Sequence, residues 1–492
     1  MRIKISFLFS VLLLFSCTLG PDYKSPRLFS NTDIAAGLRL SGQVTPITLD
    51  WYRQFNDPLL NSLIARGLAY SPTVEAARQR LLQARQSLRI SAVQNLPTLN
   101  ASGAYNKSKT DKNYRQVVIV DDYYRLGFDA AWELDIWGGG RRATESAWAM
   151  LQAAAADLDN VRLTLTAEIA ANYIQLRQAQ EQLRLAEQNL QLQEDIYQLV
   201  RQKYNSGLAD EISINQAGYI VDTTKQQLPV SRQQTEAYAN ALSILVGQLP
   251  GSLTAVLSAP ENNLISRNFA YDLDQLYNLP VSVLRQRPDV RVVEANLMAQ
   301  NAKIGQALAQ MFPSLSISGL IGYQAKNSSA LISSGSNMYS FSPVVNLPLF
   351  HWGALYNNVQ LQKYLTAEQL QLYRSGLLNA AEEIRTAMTA VEQEYLRNQS
   401  AVAAERSQTQ VAELTLRKYR QGLVEFSEVL TSQQNLLSAQ NTRIESNGAI
   451  YQNIITFYKS IGGGYAPPAP KISNTAGCRK AVANAGAALC KG

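Results

Sequence analysis

One six-residue turn occurs twice, and it constrains everything the chain can fold into. Lys203-Tyr204-Asn205-Ser206-Gly207-Leu208 ends one long helical stretch and opens another, and Lys418-Tyr419-Arg420-Gln421-Gly422-Leu423 repeats it 215 residues later. Each Gly supplies a left-handed helix stop that a Cβ would penalise. A true duplication keeps one offset across unrelated local motifs, and this one does. Ser71-Pro72 pairs with Arg287-Pro288, and Leu96-Pro97-Thr98-Leu99 with Phe312-Pro313-Ser314-Leu315, both at 216. Ile136-Trp137-Gly138 pairs with His351-Trp352-Gly353, Glu168-Ile169 with Glu383-Ile384, and Val246-Gly247 with Ile461-Gly462, all at 215. Residues 51–250 and 281–465 are therefore expected to be structural repeats.

The N-terminus sets the compartment. Arg2 and Lys4 precede an apolar run from Ile5 to Phe15, the pattern of a signal peptide over residues 1–16. Leu14-Phe15-Ser16-Cys17 has the form of a bacterial lipoprotein processing site, with Cys17 as the acylated first residue of the mature chain. The competing reading is an ordinary signal peptide with an incidental cysteine. Thr18 stands where Asp would signal inner-membrane retention, which directs the chain to the outer membrane.

Between residues 17 and 50, Pro21, Pro26 and Pro46 interrupt any periodicity, so this segment is expected to be an extended arm. Residues 51–95 read as helical, with a break at Pro72. After Leu96-Pro97 the period becomes two. Strands are expected at about 97–108, 123–135, 313–325 and 338–349. In the second strand Tyr124, Leu126, Phe128, Ala130, Trp132 and Leu134 share one face, while Arg125, Asp129 and Glu133 share the other. The fourth has Tyr339, Phe341, Val345 and Leu347 on its apolar face. Strands of this kind suit a membrane barrel with a wet lumen. A half-buried hairpin in a soluble sandwich has the same alternation, and the lipoprotein signal favours the barrel. Four strands cannot close one, so several chains must share it.

The period then becomes helical, with hairpins expected over 141–247 and 354–462. Counting by sevens from Trp148 and from Leu151 as far as residue 204 finds apolar side chains at fourteen of seventeen positions. A repeat of 3.5 held this long means coiled-coil packing. About sixty residues at about 1.5 Å each make a rod on the order of 90 Å. Pro250-Gly251, Pro260 and Pro280 punctuate a crossover over 251–280, and a tail occupies 466–492. No mature segment approaches 18 consecutive apolar residues, which excludes a spanning helix.

Other chemistry is sparse. The net charge of +7 is spread along the chain and carries no argument for nucleic acid. His351 is the sole histidine and no acid-base partner is evident, so neither an enzyme nor a histidine metal site is expected, and no cofactor. Cys478 and Cys490 in the tail could form one local disulfide or remain two thiols.

With a lipid anchor, two strand pairs and two hairpin rods, residues 17–465 resemble the TolC-like outer membrane efflux protein family, lipoprotein branch. The most specific pieces are Cys17-Thr18-Leu19-Gly20-Pro21-Asp22-Tyr23, Leu284-Arg285-Gln286-Arg287-Pro288-Asp289-Val290, Leu347-Pro348-Leu349-Phe350-His351-Trp352-Gly353, the paired turns, and Ile461-Gly462-Gly463-Gly464. The resemblance implies an α+β membrane protein. In it a homotrimer shares a twelve-stranded β-barrel and the coiled-coil hairpins form a periplasmic α-barrel with a closed tip. It implies outer membrane lipid, a periplasmic adaptor and an inner-membrane pump of the RND type as partners. Gly207-Leu208 and Gly422-Leu423 match the family's adaptor-docking motif, although the glycines also serve as helix caps. Tyr419 and Glu428 match the tyrosine and acid with which members close the tip. Thr431 stands where a second acid is common, and Val424 where some members have a basic partner. Three copies of Glu428 around an axis would make a negative constriction that disfavours anions.

The function implied is a passive exit duct for drugs or other small toxic compounds. A channel for type I secretion of polypeptides is the alternative within the class, and a lipid-tethered coiled-coil structural protein the alternative outside it. The amphipathic strands speak against the tether, which needs no barrel.

Overall fold

A computed structural model describes residues 18–40, 50–109, 120–258, 263–266 and 273–463 of the 492-residue chain. The signal segment, Cys17, Cys478 and Cys490 lie outside the described residues. In chain order the elements are α1 (Asn31–Leu38), α2 (Pro58–Tyr70), α3 (Pro72–Val93), β1 (Thr98–Lys109), β2 (Val120–Leu134), α4 (Gly139–Asn205) and α5 (Glu211–Leu245). Then follow α6 (Val283–Gln286), α7 (Pro288–Ala309), β3 (Ser314–Ala325), β4 (Asn337–Asn346), α8 (Ala354–Arg420) and α9 (Phe426–Ser460).

The duplication is written in element lengths. α3 and α7 both have 22 residues, α4 and α8 both have 67, and α5 and α9 both have 35. Each long helix starts after a glycine in the left-handed region, Gly138 at φ 78° and Gly353 at φ 76°. The free amides at the start of α4 are met by Asp135, whose carboxylate accepts from the Gly140 and Arg141 amides at 3.0 and 2.9 Å. Sixty-seven residues make a rod of about 100 Å.

The strands form one antiparallel sheet in the order β1-β2-β3-β4, so the two repeats join at β2 and β3. The register puts like faces together. Tyr105 lies opposite Tyr124, Phe128 opposite Ile321, and Ile321 opposite Tyr339 on one face. Ala104 lies opposite Arg125, Asn100 opposite Asp129, and Ser318 opposite Ser342 on the other. Among the described residues β1 and β4 each leave one edge unpaired. β4 accommodates Pro343 because it is an edge strand. It stops at Asn346 rather than 349, since its partner Ser314 is the first residue of β3 and Pro348 has no amide to extend the ladder. Leu347 is therefore outside the strand.

The arm differs from its expected extended form, because Asn31–Leu38 is helical. The cause is local. The Ser30 hydroxyl accepts from the Asp33 amide at 3.0 Å while Asp33 accepts from the Ser30 amide, a reciprocal capping box.

The main core lies where both hairpins meet α2 and the crossover. Trp51 stacks on Tyr458 with centroids 5.4 Å apart, and Phe55 meets Tyr451 edge-on at 5.2 Å. Leu60, Leu63, Ile64, Ile169, Tyr173 and Ile454 are fully buried around them. The crossover is bound to mid-rod by buried polar groups. Gln180 donates to the Leu257 carbonyl, Asn263 to the Arg177 carbonyl and Asn447 to the Ile265 carbonyl, all at 2.7 Å. Among the described residues no helix is long and apolar enough to cross a membrane.

Candidate functional site: channel wall and tip

Two parts of the molecule are candidates for function, the sheet and the paired turns. On the sheet's polar face Arg125 donates to Asp129 at 3.0 Å, and Ser102 donates to the same carboxylate. Its apolar face presents Phe128, Ile321, Tyr339 and Phe341 to the surroundings. A sheet with one apolar face, one polar face and, among the described residues, two unpaired edges suits a wall between hydrocarbon and a wet lumen.

At the far end of the rods the two turns are built alike. The Leu208 amide donates to the Lys203 carbonyl at 2.8 Å and the Gly207 amide to Tyr204 at 3.0 Å. The Leu423 amide donates to Lys418, and the Gly422 amide to Tyr419, both at 3.0 Å. These are Schellman closures, and they need the positive φ of Gly207 and Gly422. In such turns an apolar residue after the glycine frequently packs back on its own helix. Here Leu208 is 76% exposed and Leu423 68% exposed, and a methyl group added at either glycine would meet open space.

Beneath the turns lies a small separate core of Ile196, Val200, Ala217, Tyr419, Phe426 and Val429. Tyr419 is buried, 5.7 Å from the Phe426 ring, and its hydroxyl has no hydrogen-bond partner among the described residues. Burial, and secondarily the Asp210 carboxylate, push its pKa above the ordinary tyrosine value. Asp210 caps α5 by accepting from the Ser213 hydroxyl at 2.6 Å and the Ser213 amide at 2.9 Å, and these bonds hold its pKa below the usual carboxylate value.

The residues marked in the sequence as the gate are split by the structure. Tyr419 points into the small core, whereas Glu428 and Thr431 are exposed on α9. Thr431 spends its hydroxyl on the Ser427 carbonyl at 3.0 Å. Sequence reasoning missed Lys203. Its ammonium donates to the Tyr419 carbonyl at 2.5 Å and sits 4.2 Å from the centre of the Tyr419 ring. The only signal for it was its place in the first copy of the turn.

Comparison with known proteins agrees with this geometry. The family model for outer membrane efflux proteins matches residues 63–248 and 279–463, one match for each repeat. Nodulation protein T of Rhizobium leguminosarum bv. trifolii is 27% identical over 466 residues, covering 94% of this chain and 97% of that protein. The probable efflux pump outer membrane protein TtgC of Pseudomonas putida is 26% identical over 476 residues, covering 94% and 95%. The solved outer-membrane channel OprN superposes with a TM-score of 0.82 at 29% identity, over 91% of this chain and 99% of that one. Proteins of this family are channels rather than enzymes. The chain belongs to the outer membrane efflux protein family and is the outer-membrane exit duct of a tripartite efflux pump.

Proposed function

We propose that three copies of the chain close one conduit, each giving β1 to β4 to a shared barrel and its two hairpins to a periplasmic tunnel. The observation that carries this is the sheet. Its unpaired edges at β1 and β4 lie beside an apolar face, and an open edge facing lipid leaves backbone groups unsatisfied. A barrel of this kind needs about eight strands or more, so more than one copy is required.

In this reading the lipid on Cys17 tethers the assembly to the outer membrane. A periplasmic adaptor docks on the exposed Leu208 and Leu423 beside Gly207 and Gly422, and an inner-membrane pump of the RND type drives export. The duct performs no chemistry of its own, and its cargo is drugs or other small toxic compounds. Glu428 and Thr431, exposed on α9, line the closed tip. Tyr419 acts indirectly by fixing the end of α8 against α9. Adaptor binding opens the tip by favouring the open arrangement of the helices.

The test is electrophoresis of outer-membrane fractions without and with heating, followed by adaptor pull-down. A heat-labile trimer that retains the adaptor is the expected result. A chain that migrates only as a monomer in fully inserted material would refute the shared barrel.

A further inference from the structure

The two repeats diverge where α4 and α8 leave the sheet. The helices keep one offset of 215 from end to end, yet Ala143, Ala147 and Ala154 of α4 correspond to Asn358, Gln362 and Gln369 of α8. In α8 the larger side chains fill space. Gln362 donates to Asn358 at 3.3 Å and accepts from Gln300 of α7 at 2.7 Å. In α4 the alanines leave a groove of about 540 Å³ between α3, α4 and α7, running from Ala143 to Asp157. Small-molecule sites span about 300–1,000 Å³.

The groove is apolar with two idle polar groups. Its floor is the three alanines and Met150, whose thioether adapts to irregular shapes. Ser146 lines it, is only 7% exposed, and makes no hydrogen bond among the described residues. Gln306 of α7, half-buried on the facing wall, also has no hydrogen-bond partner among the described residues. A buried hydroxyl left without a partner is destabilising, so a ligand that bonds it is favoured. Asp157 at the lower end is matched by Arg80 at 3.1 Å, and the groove therefore presents no net charge.

The groove opens on the side of the wall away from the arm. The arm is tied to α4 by Arg142, which donates to the Leu19 and Gly20 carbonyls at 3.0 Å. It is tied to α7 at Glu294, Asn301 and Gly305. At about 100° per residue these three lie about 140° around α7 from Val292 and Gln306, which line the groove. On α4, Ile169 and Tyr173 face Gly67 of α2 and its cap Asp57, and they lie about 120° from the groove's stripe. In the shared tunnel a belt on the inner side would obstruct the conduit, so arm and α2 face outward and the groove faces the lumen.

We propose that this groove is a resting site for cargo on the inner wall of the tunnel, taking uncharged, drug-sized molecules with an apolar body and a hydrogen-bonding group. The inference rests on the shared tunnel proposed above. The apolar body lies on the alanines and Met150, and the polar group bonds Ser146 or Gln306.

The experiment is saturation-transfer NMR of chloramphenicol, an uncharged aromatic amphiphile, with the purified full-length protein in nanodiscs and empty nanodiscs subtracted. The wild type should give a saturable signal with a dissociation constant on the order of 1 mM, weak enough to release cargo. Ala147→Gln, which installs the side chain that α8 carries at the matching place, should abolish it. Ser146→Ala, which deletes a single oxygen, should weaken it about threefold or more. Sucrose, polar and of similar size, should give no saturable signal. No saturable signal in the wild type, a signal unchanged in Ala147→Gln, or equal binding of sucrose overturns the resting site. Heat-labile trimers in the same samples read the conduit separately. Trimers without the signal refute the groove and leave the conduit standing, whereas monomers alone refute the conduit and with it the lumenal placement.

Discussion

Lys203 of the first turn holds Tyr419 of the second. The ammonium donates to the Tyr419 carbonyl at 2.5 Å and lies 4.2 Å from the ring centroid. One side chain thereby ties the last turns of α4 and α8, and it does so across the two repeats. A carbonyl at a helix end carries partial negative charge, so the bond joins a cation to a place where it is favoured. Within the chain the two turns are held together by this bond and by the small core around it.

The unpartnered Tyr419 hydroxyl separates two substitutions. Tyr419→Phe should leave trimer stability and tip closure unchanged. Tyr419→Ala should cost about 3–5 kcal/mol locally, as truncation of a buried aromatic does, and increase leakage of a large antibiotic into cells. Susceptibility assays in one host background compare the two.

The same tyrosine gives a pH signature. Its pKa is raised in the fold by burial and then by Asp210. The associated stability is therefore complete below the unfolded value near about 10 and is lost as pH rises through the folded value. The difference absorbance titration at 295 nm between wild type and Tyr419→Phe should show one phenol ionising later than the exposed ones, with tip opening following it.

Leu208→Asp and Leu423→Asp alter side chains that are mostly exposed. Each should change thermal stability by no more than about 0.5 kcal/mol. Calorimetry with the cognate adaptor should nonetheless show weakening of about tenfold or more, since a carboxylate buried without a partner in the interface is costly. Unchanged affinity would move the docking surface elsewhere.

Arg287 is a buried clamp between α6 and α7. It donates to the Ser460 carbonyl at 2.8 Å, Asp289 at 2.7 Å and Glu383 at 2.6 Å. Arg287→Ala should destabilise by about 3 kcal/mol, the low end for a broken buried pair because both carboxylates keep access to water. Burial alone would push the Asp289 pKa up, but the bonds and charge of Arg287 outweigh it and the net shift is downward. Stability from this pair is present above the ordinary carboxylate value and lost as pH falls through the folded one. Thermal melts of the wild type should show this acid limb, and Arg287→Ala should flatten it.

The sheet's two faces should differ sharply in tolerance. Phe341→Arg, on the apolar face, should cost about 2–4 kcal/mol in the bilayer and reduce insertion. Ser340→Arg, one residue away on the other face, should insert normally. Both are read by heat-modified mobility in outer-membrane fractions.

What the sequence revealed is what repeats or alternates. The turn glycines, the period-two strands and the long 3.5-residue stripe all follow from backbone geometry. Leu158, Leu165, Ile169, Leu176 and Val200 of that stripe are buried in the structure. Helix α1 was missed because it rests on one Ser30–Asp33 capping box amid prolines, too short for a period. Lys203 and Arg142 were missed for another reason. Both satisfy backbone carbonyls far away in sequence, and a carbonyl has no letter in the sequence. Glu428 and Tyr419 lie close along the chain, but the turn between them sends one outward and the other into the small core.

The most direct measurement is planar-bilayer conductance of the purified mature protein beside Lys203→Ala and a Lys203→Ala, Tyr419→Ala double variant. The expected result is a weakly conducting wild type, with several-fold higher conductance in the single variant and a further rise in the double. Verified insertion with no conductance in any of the three would contradict the channel. A wide-open wild type unaffected by either change would contradict the tip closure.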